Sequence, residues 1–190
     1  MSAPTTVRPP AVAGTFYPGS AGELAAVVDR DLAAAGSGAE ALEPPKAIVV
    51  PHAGYVYSGP VAASAYARVA GRRGVVERVV LLGPAHRVRL AGMAVPTVEL
   101  FRTPLGDVPV DGDARRAALT VPGVIADDLP HAPEHSLEVQ LPFLQRALGP
   151  AADPGGEIRW RLLPVVVGQS SASSVAALLE ALWGGSETLV

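Results

Sequence analysis

Apolar positions along this chain switch between a helical and a strand period. After a Pro- and Gly-rich lead-in at residues 8–20, Leu24, Val27, Val28 and Leu32 recur at helical spacing. Ser20 and Glu23 have capping-box spacing, so a helix is predicted to start there and to stop at Gly36-Ser37-Gly38. Ala47-Ile48-Val49-Val50 is a short unbroken apolar run of the kind a buried strand uses, residues 61–70 return to the helical period, and residues 78–82 are the next buried strand. Pro96, Pro104 and Pro109 then cut the chain into short strands at 93–95, 98–101 and 108–110, expected at an edge or in a hairpin. Beyond them the pattern predicts a helix at 113–119, a strand at 124–126 and a helix at 137–148 offset by Pro142. A β-rich run at 158–167, a helix start at 170–173 running into a helix at 175–183, and the opening of one more strand at 187–190 complete the series.

Strands alternating with helices predict an α/β fold with a mixed, largely parallel central sheet flanked by helices. The length of 190 residues suits one domain, 1–190, with its own core. Apolar residues at 49% against 17% charged exclude a disordered polyelectrolyte. A net charge of -3 leaves no basic footprint, so nucleic acid is not an expected partner. The chain contains no cysteine, which excludes disulfides and thiolate metal sites within it and fits a reducing cytoplasm. Neither a signal-peptide order at the N-terminus nor an apolar stretch of membrane-spanning length occurs, so no membrane association is expected.

Candidate chemistry collects where apolar runs end. His52, in Pro51-His52-Ala53-Gly54, follows the first run; His86, in Gly83-Pro84-Ala85-His86, follows the second. Both turns fall at the carboxyl edge of a parallel sheet, where open α/β folds bind ligands. Two converging imidazoles suit a first-row metal such as iron, copper or zinc, completed by a carboxylate, a thiolate or a third imidazole. Taken singly, each histidine can equally serve to satisfy backbone groups in its turn. Tyr55 and Tyr57 follow His52 and can offer phenolic hydroxyls to a pocket or pack in the core. Glu134 and His135 stand at the head of a predicted helix, as an orienting or acid–base pair or as a cap. Ser136 lacks a nucleophile elbow, His131 reads as a loop histidine, and Asp127 and Asp128 as solvated loop charges. Arg87 and Arg89 could draw an anion to the His86 edge. No P-loop, no dinucleotide fingerprint and no H-E-x-x-H helix is present, so no nucleotide cofactor is expected.

Several of these segments occur together in one known family. Residues 8–18 (RPPAVAGTFYP), Pro51-His52-Ala53-Gly54-Tyr55, Gly83-Pro84-Ala85-His86 and Glu134-His135-Ser136-Leu137-Glu138, with residues 101–106 and 163–168, resemble in this order the Memo family, known in bacteria and archaea as AmmeMemoRadiSam system protein B. The resemblance implies a fold similar to class III extradiol dioxygenases and places the family's two pocket histidines on His52 and His86. It implies iron or copper as the bound metal, a cysteine in place of the dioxygenase carboxylate, and work beside a radical S-adenosylmethionine protein and an AMMECR-like protein. That cysteine belongs to the family's later half, so the chain is expected to be a C-terminally incomplete Memo-like domain. Three functions then compete: a metal-binding redox accessory, an active non-haem iron extradiol-type dioxygenase, and a non-catalytic module binding a peptide or small molecule.

Overall fold

Two apolar runs buried on both faces form the spine of the fold. The computed structural model describes residues 5–36, 43–152 and 159–190. Its strands are β1 (Val7–Arg8), β2 (Arg78–Pro84), β3 (Met93–Val95), β4 (Leu100–Thr103), β5 (Gly106–Pro109), β6 (Val124–Ala126), β7 (Arg161–Val167) and β8 (Thr188–Leu189). Its helices are α1 (Ala21–Gly36), α2 (Tyr55–Val69), α3 (Gly112–Ala118), α4 (Leu141–Ala147) and α5 (Ala172–Leu182). β2 and β7 pair in parallel over seven residues, from Arg78 opposite Arg161 to Pro84 opposite Val167. They are the centre of a five-stranded sheet ordered β6-β3-β7-β2-β8, in which only the β3–β7 pair is antiparallel. A separate three-stranded sheet, β1-β4-β5, pairs β1 with β4 in parallel and β4 with β5 as a hairpin. This is the mixed, largely parallel α/β architecture that the pattern predicted.

Successive strand residues point to opposite faces, and each face has its own core. Val79 and Leu162 enter a cluster with Leu24, Val28, Tyr66, Phe143 and Trp160, beneath α1, α2 and α4. Val80, Leu163 and Val165 enter a second cluster with Met93, Leu178 and Leu182, beneath α3 and α5. Asp111 caps α3 by accepting from the backbone N–H of Asp113 and Ala114, and Ser171 caps α5 by accepting from Ser174.

Four expectations need correction or refinement. Residues 47–50 are extended but form no ladder: Ile48 N–H donates to Val190 O at 3.0 Å, Val190 N–H donates to Lys46 O at 3.1 Å, and Val49 is 100% exposed. Val190, the residue after β8, makes both bonds, so the run has a backbone neighbour at its start. α2 begins at Tyr55 instead of residue 61 and continues through Pro60. Gly59 lies inside that helix, where a Cβ would come within 2.8 Å of Asp31 Oδ2 on α1, so it permits close helix approach. β3 is an interior strand, hydrogen-bonded to β6 and β7, its three residues all buried; the hairpin expectation holds for β4 and β5. The helix at 137–148 is a 3₁₀ turn, Glu138–Gln140, followed by α4, whose first turn accepts Pro142 without losing a hydrogen bond. The Gly36-Ser37-Gly38 stop and the start of the 158–167 run fall partly outside the described residues.

Candidate metal centre

Three histidines meet beyond the carboxyl end of β2. His52 follows the extended segment 48–50, His86 lies two residues past Pro84, and His135 lies in the turn ahead of the 138–140 helix. One ring nitrogen from each falls within 4.8 Å of the others. Ring centroids are 5.1 Å apart for His52 and His86, 4.7 Å for His86 and His135, and 5.9 Å for His52 and His135. His52 and His135 are half-buried and His86 is exposed. His52 and His86 converge as expected, although only His86 follows a strand and His52 follows an extended segment outside the sheet. His135, expected from the sequence as half of an orienting or acid–base pair, stands within the cluster as a third imidazole.

Glu134 sits behind this cluster, buried to 1% exposure. Its Oε2 accepts from the backbone N–H of His86 at 2.6 Å, and its Oε1 lies 2.9 Å from His86 Nδ1. Oε1 also accepts from the backbone N–H of His135 at 3.0 Å and of Ser136 at 2.9 Å. Burial alone would raise the carboxyl, yet the hydrogen bonds from His86 and Ser136 outweigh it and hold Glu134 at about 2. An ionised Glu134 only accepts, so His86 carries its proton on Nδ1 and turns Nε2 outward, the tautomer that a metal-binding imidazole needs. Burial lowers His52, and the neighbouring His86 lowers it further against the pull of Glu134. Burial likewise lowers His135, with His86, His52 and Arg87 acting against Glu134. Both rings are thereby biased to the neutral form that binds metal.

The close approach of two chain segments shapes this arrangement. Ser136 Oγ donates to Pro84 O at 3.0 Å. A Cβ on Gly83 would lie 2.7 Å from that same Oγ and 2.8 Å from Leu137 Cδ2, so the 134–137 turn reaches β2 only because residue 83 has no side chain. Phe16, from the N-terminal lead-in, packs on His135 with centroids 4.6 Å apart.

The donor set fits a first-row ion. Three nitrogens at metal–nitrogen distances of about 2.1 Å lie roughly 3.4–3.6 Å from one another, so rings whose nitrogens fall within 4.8 Å need a closure of about 1 Å to share one ion. His135 Nδ1 is buried without a hydrogen-bond partner; it lies 3.3 Å from Glu134 Oε1 but outside hydrogen-bond alignment. A buried imidazole nitrogen without a protein partner keeps a lone pair or a proton to offer within the cluster.

Other candidates lie elsewhere. Tyr55 points into the core and donates its hydroxyl to Val139 O at 2.6 Å, whereas Tyr57 is 83% exposed; neither hydroxyl joins the three imidazoles. Their positions on α2 explain this, since two residues turn a helix by about 200°. His131 is in a turn but fully buried, its Nε2 3.0 Å from Ala94 O. Asp128 is a turn anchor, accepting from the backbone N–H of Thr97 at 2.7 Å, and Asp127 accepts from Leu129 N–H at 2.9 Å. Arg87 and Arg89 are exposed. Sequence reasoning does not single out the buried ion pair Arg8–Glu138, at 2.6 Å. The available signal was a glutamate inside the apolar stretch 137–144.

Among the described residues, no helix is long and apolar enough to cross a membrane. Comparison with known proteins bears on the whole arrangement. Residues 8–184 match the family described as Memo-like protein. A MEMO1 family protein of Ignicoccus hospitalis is 40% identical over 191 residues, covering 96% of this chain and 64% of the relative. One from Aquifex aeolicus is 43% identical over 161 residues, covering 85% and 55%. Protein MEMO1 of Xenopus laevis is 35% identical over 177 residues, covering 91% and 55%. The chain thus spans less than two thirds of the length of each of these relatives. The motifs, the mixed α/β sheet and these matches agree: the chain belongs to the Memo-like family.

Proposed function

We propose that this chain binds a redox-active ion, iron or copper, through His52, His86 and His135, in a pocket of the extradiol dioxygenase kind turned to an accessory role. The convergence of the three imidazoles within 4.8 Å carries this reading. Glu134 supports it by fixing the His86 tautomer, and Phe16 by covering one face of His135. A three-imidazole set suits copper and iron, with copper bound more tightly on the Irving–Williams order. The ion would supply one-electron chemistry, while the protein holds three ring nitrogens in place and keeps the Glu134 charge behind them. The chain would act in the cytoplasm beside a radical S-adenosylmethionine protein and an AMMECR-like protein, the association that the family's system name implies.

Ring-opening dioxygenase chemistry needs a carboxylate in the ligand set. Both oxygens of Glu134 are already taken by His86, His135 and Ser136, so this carboxylate is spoken for. The test is elemental analysis of protein purified without oxygen, alongside His52→Ala, His86→Ala and His135→Ala. Near-stoichiometric iron or copper in the parent, lost in each variant, is the expected result. Metal content indifferent to all three substitutions, or no metal in the parent, refutes it; catechol-dependent oxygen uptake would transfer the site to the dioxygenase class.

A further inference from the structure

A buried hydrogen-bonded network beside the cluster contains none of its ligands. Arg8 is 5% exposed and Glu138 0%. The Arg8 guanidinium donates through Nη1 to Glu138 Oε2 at 2.6 Å, through Nε to His131 O at 2.8 Å, and through Nη2 to Glu134 O at 2.7 Å and Ala132 O at 3.4 Å. It also lies over the Phe101 ring, 5.2 Å from the centroid. One side chain thus gathers three carbonyls of the turn that carries Glu134 and His135. The opposing carboxylate works on another segment. Glu138 accepts from the backbone N–H of Ala11 at 2.7 Å and of Val12 at 3.0 Å, and from the Tyr17 hydroxyl at 2.6 Å.

Both arms of this network lead to His135. The segment that Glu138 holds presents Phe16 to His135, 4.6 Å between centroids. The Phe16 carbonyl accepts from Tyr55 N–H at 2.8 Å, at the head of α2 and three residues past His52. The other arm fixes the backbone at 131–134, directly before His135. Burying an ion pair is costly, and well-packed apolar replacements are often as stable, so stability alone is a weak reason for one here. Its geometry supplies a better one: a guanidinium fork and a carboxylate together bind six polar groups, three carbonyls, two backbone N–H and one hydroxyl, that no apolar pair could hold.

We propose that Arg8 and Glu138 are positioning residues that hold His135 against His52 and His86, Arg8 through the 131–134 carbonyls and Glu138 through the 11–17 segment and Phe16. This rests on the reading of the three imidazoles as one metal site.

The experiment titrates Cu(II) into the full chain and into Arg8→Lys and Tyr17→Phe, each with and without His135→Ala. Affinity and the copper electron paramagnetic resonance spectrum are read together. Arg8→Lys should weaken copper about 10–100-fold, as loss of outer support does at metal sites, and change the spectrum. In the His135→Ala background the same substitution should have almost no effect, because residues acting as one unit are not additive. Tyr17→Phe removes a single hydrogen bond to Glu138 and should act in the same direction more weakly; it carries the test if Arg8→Lys fails to fold. A parent-like spectrum in both variants, or an equal loss with and without His135, overturns the proposal. If the parent takes up no copper, the metal reading fails separately and amide exchange decides. Faster exchange at His135 and Ser136 in the variants, with β7 unchanged, sustains the positioning role; unchanged exchange at those amides overturns it.

Discussion

Glu134 shows how much one buried carboxylate can organise. Four N–H groups converge on it, from the backbones of His86, His135 and Ser136 and from the His86 ring. A neutral amide cannot accept from all four, so Glu134→Gln should lower metal affinity about 10–100-fold, measurable by competition with a chelator of known strength. His131 gives the complementary case of a buried base. Burial, reinforced by Arg8 and opposed by the Ala94 carbonyl, lowers it from 6.5 to about 4. Between those values the unfolded chain takes up a proton that the folded chain refuses, so stability falls as pH drops through the window, by roughly 3 kcal/mol in all. Above pH 6.5 this group contributes no slope. Urea melts of His131→Gln should lack that part of the acid loss, and an unchanged slope would show that His131 titrates normally. Residue identity was partly legible: His52 and His86 stood out because each ends an apolar run. His135 could be placed near them, but its membership of the cluster depends on a turn reaching back to β2. Arg8 and Glu138 are partners across 130 positions, a relation that no local pattern encodes.

At the scale of elements, the end of β2 and the 134–137 turn fit together only at a glycine. Gly83→Ala would drive a methyl group against Ser136 Oγ and Leu137 Cδ2. It should cost about 1–3 kcal/mol, as overpacking does, and also weaken metal binding by moving Glu134 from His86; calorimetric melts and the same chelator competition read both. The sequence marked β2 and β7 clearly, since strands covered on both faces are apolar throughout. Ala47-Ile48-Val49-Val50 has the same composition, yet composition does not state whether a partner lies alongside, and Val49 has none over its side chain. For the tyrosines near His52 the sequence left a pocket and the core both open, because the helix that decides between them is not marked locally. A Gly54 start and a Gly59-Pro60 pair look like a loop until α1 packs across Gly59, and helical phase then sends Tyr55 inward and Tyr57 outward.

Across the whole molecule, the sheet separates two apolar clusters, and the histidines lie at its carboxyl edge. Damage to one core should therefore leave the site alone. Leu178→Ala, in the cluster beneath α3 and α5, should cost about 2–5 kcal/mol while copper or iron affinity stays within twofold; a parallel loss of metal would show that the clusters are coupled through the sheet. The fold class was legible because strand and helix periods alternate, whereas the second small sheet was not, since β1 is two residues long and pairs with distant β4. The histidines also belong to three well-separated stretches of chain. An ion gripping all three would close two long loops, the covalent-style restraint that other small proteins obtain by oxidising paired thiols. This chain has no cysteine to oxidise. Its melting temperature would then climb with the logarithm of free metal, and the cluster would serve as a rivet for the fold as well as a seat for chemistry.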